Sequence, residues 1–478
     1  MLKANLLKVL GLSVAMMSTT AHAISLDWTG GYRAEWTEVD RPSLTSPTER
    51  KAYGLNYLYL SPKIIAADGI NIVSRFDILN SNIYPNSQVG TIWGLNANDN
   101  AATAGNQGVA DIKASQLYLN VNQEFGSLIV GRAPFDFGLG MMYSAGKGEF
   151  DHWYTTRDMI AYKVVVGDWF VMPLIGREYA ADYGQGQNMT VMGAQLQYEN
   201  TEQKSLIGVY MQARKGSSGS LNYSASQIDA YTGTTGGTGG TATSDLSIQS
   251  TSFVLGRGWD SFGFKIEAGF QSGNTGIVTT AGDDVKLDGY GIAAELYFPR
   301  NESKWDWVVK TGMATGYNGT SSSFSGFAFN KNYNVGMLMF NHRLGSEDFF
   351  NTNAVKPQHF DPADPTKDTL NVGNSVDDES VGNAFYLAPQ VTYAWNDKFD
   401  VRNTLVYAQL MNTLHNSVDA KKDLGLEWDI EVIYKPLERV QWVNQIGLLF
   451  PGEAWKNGNA NLGNDFTFGF ASKAAISF

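Results

Sequence analysis

The sequence predicts an all-β protein folded as a transmembrane antiparallel β-barrel, and three observations carry that prediction. Apolar and polar residues alternate with period two in segment after segment along the chain, which is the signature of a strand with two different faces. Beyond residue 23 no stretch is apolar enough over the ~20 residues that a spanning helix needs, so the chain either is soluble outside the cytoplasm or crosses a membrane as a closed barrel, the other way to satisfy backbone polar groups in lipid. The 478 residues include 51 glycines, 25 Phe, 23 Tyr and 12 Trp but are only 17% charged, where a soluble domain is about 25% charged.

Composition also excludes several chemistries. The chain has no cysteine, so there is no disulfide framework, thiolate metal site or cysteine nucleophile. A formal charge of −12 and a pI near 5.0 argue against a nucleic-acid partner, which would meet a basic face. Lys3 and Lys8, the apolar stretch from Leu6 to Met17 and the small-residue site Ala21-His22-Ala23 read as a cleaved secretory signal peptide over residues 1–23. Residues 24–478 are then one barrel domain.

The elements follow in order. Leu26, Trp28, Tyr32, Ala34 and Trp36 alternate with Asp27, Arg33 and Glu35 in a first strand at 24–38. Strands at 53–66 and 70–81 flank the turn Ala67-Asp68-Gly69, and Arg75 and Asp77 alternate there with Phe76 and Ile78. Glu124-Phe125-Gly126 joins 111–123 to 127–137, and Gly167-Asp168 joins 158–166 to 169–178. Strands at 189–199, 205–214, 247–257 and 261–272 follow, the last with Lys265 and Glu267 between Phe264, Ile266 and Phe270. Then come 286–298 with Glu295, 305–317 with Lys310, 384–396, and 398–411 with Arg402. The series ends with 422–434, where Glu427, Asp429 and Glu431 interleave with Trp428, Ile430 and Val432, and with 440–450 and 464–478. That makes eighteen strands, with 16 or 20 as alternatives, short turns on one side and long loops near 138–157, 215–246 and 318–383 on the other. The apolar run Val335 to Phe340 is assigned to the last of these loops, because termini on one side require an even count. Aromatic residues at segment ends, such as Trp305, Trp307, Tyr434 and Trp442, fit girdles at two membrane interfaces.

Asp27, Arg33, Glu35, Arg75, Asp77, Lys265, Glu267, Glu295, Lys310, Arg402, Glu427, Asp429 and Glu431 share the polar parity and are expected to line the lumen. So many charges are costly in a dry interior, which predicts a water-filled conduit with, from its acidic excess, a weak cation preference. A serine hydrolase is disfavoured, since His152, His342, His359 and His415 all fall in predicted loops without a neighbouring motif. The acidic run from Asp361 to Glu379 lacks an ordered calcium-ligand spacing and reads as solvated loop. No metal or cofactor is expected.

Phe466, Phe468, Phe470, Ala474, Ile476 and terminal Phe478 fall on one parity. This ending resembles the last strand of Gram-negative outer-membrane barrels. The resemblance implies outer-membrane localisation, contact with outer-membrane lipid and lipopolysaccharide, and Phe478 as a signal to the barrel-assembly machinery. Residues 125–132, FGSLIVGR, resemble the F-G-x-L-x-x-G-R hairpin of general porins. That family implies passive diffusion of small hydrophilic solutes or ions, a homotrimer, and a constriction in which Arg132, at the motif's arginine, faces carboxylates of the next loop; by topology these are Glu149 and Asp151, and Arg157 and Lys163 are further basic candidates there. Arg132 shares parity with the apolar Leu128 and Val130, so this role requires a bulge to turn it inward. The competing reading is a structural or surface-interaction barrel whose loops close the pore.

Overall fold

The computed structural model describes residues 25–45, 50–78, 90–91, 112–180, 188–217, 245–278, 282–316, 323–342, 344–345, 379–413 and 420–478. The signal-peptide segment 1–23, His359, His415 and the acidic run from Asp361 to Asp378 lie outside the described residues.

Eighteen long strands form the wall: β1 (Ser25–Asp40), β2 (Arg50–Ala67), β3 (Ile70–Ile78), β4 (Ile112–Gln123), β5 (Gly126–Pro134), β6 (Thr156–Val166), β7 (Trp169–Ala180), β8 (Asn188–Asn200), β9 (Ser205–Gly216), β10 (Leu246–Gly258), β11 (Gly263–Val278), β12 (Asp284–Phe298), β13 (Trp305–Ala314), β14 (Ala384–Asn396), β15 (Phe399–Leu410), β16 (Asp423–Leu437), β17 (Val440–Pro451) and β18 (Thr467–Ser477). Each pairs antiparallel with its neighbour in sequence, and β1 pairs with β18 from Gly31 opposite Ser477 to Val39 opposite Gly469, so the sheet closes on itself. Two short strands, Gly90–Thr91 and Ser323–Phe324, add to β2 and β12. Closure leaves the wall without a free edge.

Alternation decides which way each strand faces. In β1, Arg33, Glu35, Thr37 and Val39 are buried inward while Leu26, Trp28 and Tyr32 are exposed outward. The same split puts Glu267 inside and Phe270 outside in β11, and Glu427 and Asp429 inside with Leu426 and Trp428 outside in β16. Two-residue turns close one end; Gly69 (φ 72°) and Gly167 (φ 58°) hold left-handed backbone that Asp68-Gly69 and Gly167-Asp168 need to reverse the chain this tightly. β16 runs on to Leu437, so its turn is Glu438-Arg439, later than the alternation places it. Aromatic pairs stand beside these turns, including Trp169 with Tyr198 at 5.2 Å, Trp305 with Tyr393 at 4.5 Å and Phe399 stacked on Tyr434 at 4.5 Å.

The apolar core lies within the barrel. Phe135, Phe137, Met141, Tyr143 and Tyr154 from the 135–155 connection, and Phe327, Phe329, Tyr333, Met337, Leu338, Met339 and Phe340 from the β13–β14 connection, are buried against the inner wall. Val335 to Phe340 forms turns inside the lumen, outside the strand ladder. An eighteen-stranded barrel encloses more space than its own side chains fill, and these two loops enter it. Some of the charged parity expected to face water instead meets loop backbone, as at Glu267, Glu427 and Asp429.

Candidate functional site

Wall charges and loop backbones are matched to one another. Glu267 of β11 accepts hydrogen bonds from the N–H groups of Leu139 (2.6 Å), Met141 (3.1 Å) and Met142 (3.4 Å) and from the Ser252 hydroxyl (2.9 Å). Lys265, two residues away on the same face, donates to the Gly138 carbonyl. In β16, Glu427 accepts from Leu338 N–H (2.6 Å) and Met339 N–H (2.7 Å), while Asp429 accepts from Met337 N–H (2.9 Å). Successive backbone N–H groups converging on carboxylates make an anion nest, so the inserted loops hang on wall carboxylates. Small wall residues make room: a Cβ on Gly469 would lie 2.7 Å from Leu338 Cδ2, and one on Gly291 would lie 2.7 Å from the rings of Phe327 and Phe329.

On β1, Arg33 Nη1 donates to the carbonyls of Glu149 (3.1 Å) and Asp151 (2.7 Å), and Arg33 Nε lies 3.0 Å from Glu35. His152 Nε2 lies 2.9 and 3.0 Å from the two Glu35 oxygens. Burial lifts the Asp151 carboxyl above the ordinary carboxylate range, opposed by the Gly148 N–H, Arg33 and His152. Arg75 donates to Asp77 (3.1 Å) and to the Tyr57 hydroxyl (2.6 Å), and Tyr57 and Tyr154 donate to Asp77 at 2.6 and 3.2 Å. The loops are also tied to each other: Trp153 N–H donates to Asn332 Oδ1 (3.0 Å), and Asn330 N–H donates to the Met141 carbonyl (2.6 Å).

The predicted lumen residues all occupy inward positions, but most are engaged. Lys310 donates to the Asn334 carbonyl (3.0 Å), Tyr297 donates to Glu295, and Arg402 pairs with Glu431 (2.9 Å). Asp27 is exposed at the short-turn mouth. The five residues expected at the constriction separate. Arg157 is buried under the 135–155 loop, 4.3 Å over Phe135 and bonded to the Tyr210 hydroxyl at 2.6 Å. Lys163 sits near the short turns, 4.0 Å over the Phe170 ring. Arg132 is corrected outright. It stands directly opposite Leu117 in unbroken register, half-exposed on the outer face, and makes a bidentate pair with Asp158 at 2.7 Å. The bulge it needed lies one strand earlier, at Ser115, which turns Ser115 and Gln116 both inward.

Among the described residues a cavity of about 460 Å³ lies on the β1–β4 side, lined by Arg33, Tyr57, Tyr59, Arg75, Lys147 and Glu149 among others. Arg75 lies 4.3 Å over the Tyr59 ring and Arg33 4.7 Å over the Tyr57 ring, which fixes both guanidiniums against the wall. Glu149 and Lys147 line the cavity from the loop, with Lys147 paired to Asp136 at 2.7 Å. A second, smaller cavity of about 120 Å³ lies between the loops and β1–β2 and β18, beside His152, His342 and Lys473. Sequence reasoning placed Arg33, Arg75 and Glu149 in the lumen but missed Tyr57, Tyr59 and Lys147; the period-two position of the tyrosines on the same parity as Asn71-side charges across β2–β3 was the available signal.

No protein-family model matches this chain, and no curated protein sequence matches it. Among solved structures it is similar to a BenF-like porin from Pseudomonas fluorescens Pf-5, with 11% identity and a TM-score of 0.49 over 95% of this chain and 98% of that one. It is also similar to Pseudomonas aeruginosa OccK11 (OpdR), at 7% identity and a TM-score of 0.49 over 95% and 96% of the two chains. A third similar structure, Pseudomonas aeruginosa OccK9 (OpdG), gives 11% identity and a TM-score of 0.49 over 95% and 99%.

Proposed function

We propose that this protein is an outer-membrane channel for passive diffusion of small hydrophilic solutes, running along the β1–β4 side of a lumen that two inserted loops otherwise fill. The observation that carries the reading is the 460 Å³ cavity lined by Arg33 and Arg75 on the wall and by Glu149 on the loop. Opposed charges confined between protein walls set up a transverse field that orients polar solutes and penalises apolar ones. A gap of this volume admits solutes of small-molecule size. The exposed apolar belt and the aromatic pairs beside the turns support a membrane setting, and the Phe478-ended strand supports insertion by the barrel-assembly machinery.

The second reading, a barrel closed by its loops, is favoured by one observation: the backbone nests at Glu267 and at Glu427–Asp429 hold the loops without a gap. Planar-bilayer recording of the purified chain separates the two. Unitary steps in the parent protein support the channel; silence in the parent with steps in a variant lacking residues 323–345 supports the closed barrel. Chemical cross-linking in detergent tests the homotrimer, whose expected product is a ladder ending at three copies.

A further inference from the structure

Neighbouring inward residues of β1 strap the 135–155 connection to the wall. Arg33 holds the carbonyls of Glu149 and Asp151, and Glu35 holds His152, whose Nε2 lies 2.9 and 3.0 Å from the two carboxylate oxygens. An ionised carboxylate only accepts, which makes Nε2 the donor. His152 is 7% exposed and Glu35 3%, so the strap is shielded from bulk water. Trp153 carries it on to the other inserted loop: its N–H donates to Asn332 Oδ1 at 3.0 Å, and the Asn332 amide donates back to the Trp153 carbonyl. Gly148 and Glu149, on the other side of His152 in sequence, line the 460 Å³ cavity. Residues 148–153 thus run from the cavity wall to the contact between the two loops.

Histidine is the side chain whose charge ordinarily changes between about pH 5 and 8, and charged groups surround this one. On β1 stand Glu35 and Arg33, with Arg33 Nε 3.0 Å from Glu35. On β18, Lys473 is directly opposite Glu35 in register. Tyr53 of β2, and Lys331 and His342 of the β13–β14 connection, border the 120 Å³ cavity beside His152. Asp151 adjoins it in its own loop and accepts the Gly148 N–H at 2.8 Å. Arg33, Lys331 and Lys473 oppose a positive charge on His152, while Glu35 and an ionised Asp151 favour one. Contact decides between them. Glu35 meets the ring with both oxygens at hydrogen-bond distance, whereas Lys331 lies 4.2 Å over the Trp153 ring and Lys473 acts from the neighbouring strand.

We propose that His152 is a proton-operated latch: as the imidazolium it fastens the 135–155 connection to Glu35, and its deprotonation loosens residues 148–153 and widens the passage beside them. Deprotonation leaves the Nε2–H in place but removes the charge behind it, so a charge-assisted bond becomes an ordinary one and the balance between fastened and loosened loop shifts by roughly ten-fold. The latch rests on the channel reading above only for its effect on passage.

The test is hydrogen–deuterium exchange of the full chain in detergent micelles, read amide by amide by mass spectrometry at about pH 5.5 and about pH 8 and corrected for intrinsic exchange. The Asp151 and Trp153 amides, bonded to the Gly148 carbonyl and to Asn332, report on the segment, and the β8–β9 ladder is the reference. In the parent their protection should fall roughly ten-fold at the higher pH while the reference stays constant. His152→Gln, which keeps a donor but does not titrate, should show the higher-pH protection at both values. Glu35→Gln, which removes the partner and keeps the histidine, should lose the step as well; heat-dependent gel mobility establishes that each variant is folded. A parent without the step, a step of opposite sign, or a step that survives in either folded variant would each overturn the proposal. Bilayer current recorded in parallel should rise with pH in the parent and stay level in His152→Gln, and a current that does not follow the step overturns the widening. A protection step with no current at either pH overturns the channel reading alone.

Discussion

Replacing Glu427 by glutamine tests whether wall carboxylates hold the lumen closed. Glu427 uses its two oxygens separately, one for Leu338 N–H at 2.6 Å and the other for Met339 N–H at 2.7 Å. An amide of the same shape keeps one acceptor and presents N–H₂ to the second donor. One hydrogen bond is lost, the other is no longer charge-assisted, and a buried N–H is left without a partner. Each charge-assisted bond contributes about 1.5–3 kcal/mol and an unsatisfied buried donor costs about 1–3 kcal/mol, so the seat weakens by about 3 kcal/mol. That corresponds to a shift of roughly a hundred-fold between the seated and unseated loop. In single-channel records at fixed voltage, Glu427→Gln should raise the frequency of large-conductance openings by about that factor. The Glu427→Gln/Asp429→Asn pair should raise it further, because Met337 N–H, 2.9 Å from the Asp429 carboxyl, then has at most an amide oxygen to donate to. Opening frequencies identical to the parent in both variants, with heat-dependent mobility showing a folded barrel, would refute the idea that these carboxylates seat the loop.

Gly469→Leu should act in the same direction without touching a charge, since even a Cβ there comes within 2.7 Å of Leu338; unchanged conductance would mean the loop has another place to go. Arg33→Gln combined with Arg75→Gln should shift the reversal potential in a salt gradient toward cations, whereas Arg132→Ala should leave it unchanged because that side chain is on the outer face beside Asp158. Deleting Phe478, whose N–H and carbonyl both pair with Gly30 (3.0 and 2.8 Å), should lower the yield of heat-modifiable barrel in membranes severalfold without blocking export. For Asp151 the folded state binds its proton more tightly than the unfolded chain, because burial raises the carboxyl. Its contribution is present below the ordinary carboxylate range and is lost as pH rises through the raised value, so Asp151→Asn should flatten the pH dependence of thermal unfolding in that window and leave it unchanged elsewhere.

Strand number, facing and the division into short-turn and long-loop ends were legible in the sequence because each rests on a local rule. A strand's side chains alternate whatever its neighbours are, so Glu35, Asp77, Glu267 and Glu427 are assigned inward from their own segments. The same rule placed Arg132 outward with Leu128 and Val130; the hairpin resemblance pulled it inward, and β5 kept its register. Alternation says which face looks into the barrel but not what fills the space there. Glu267 meets Met141 across 126 residues of sequence and Glu427 meets Leu338 across 89. Only tertiary structure could show that these charges seat loop backbones rather than face water. The remaining trace in the sequence is indirect: glycines at inward positions, Gly291 and Gly469, clear the wall beneath loop residues with bulky apolar side chains. A buried N–H requires an acceptor, but that requirement does not specify which distant segment supplies it; that choice is made by shape and pairing in the folded chain.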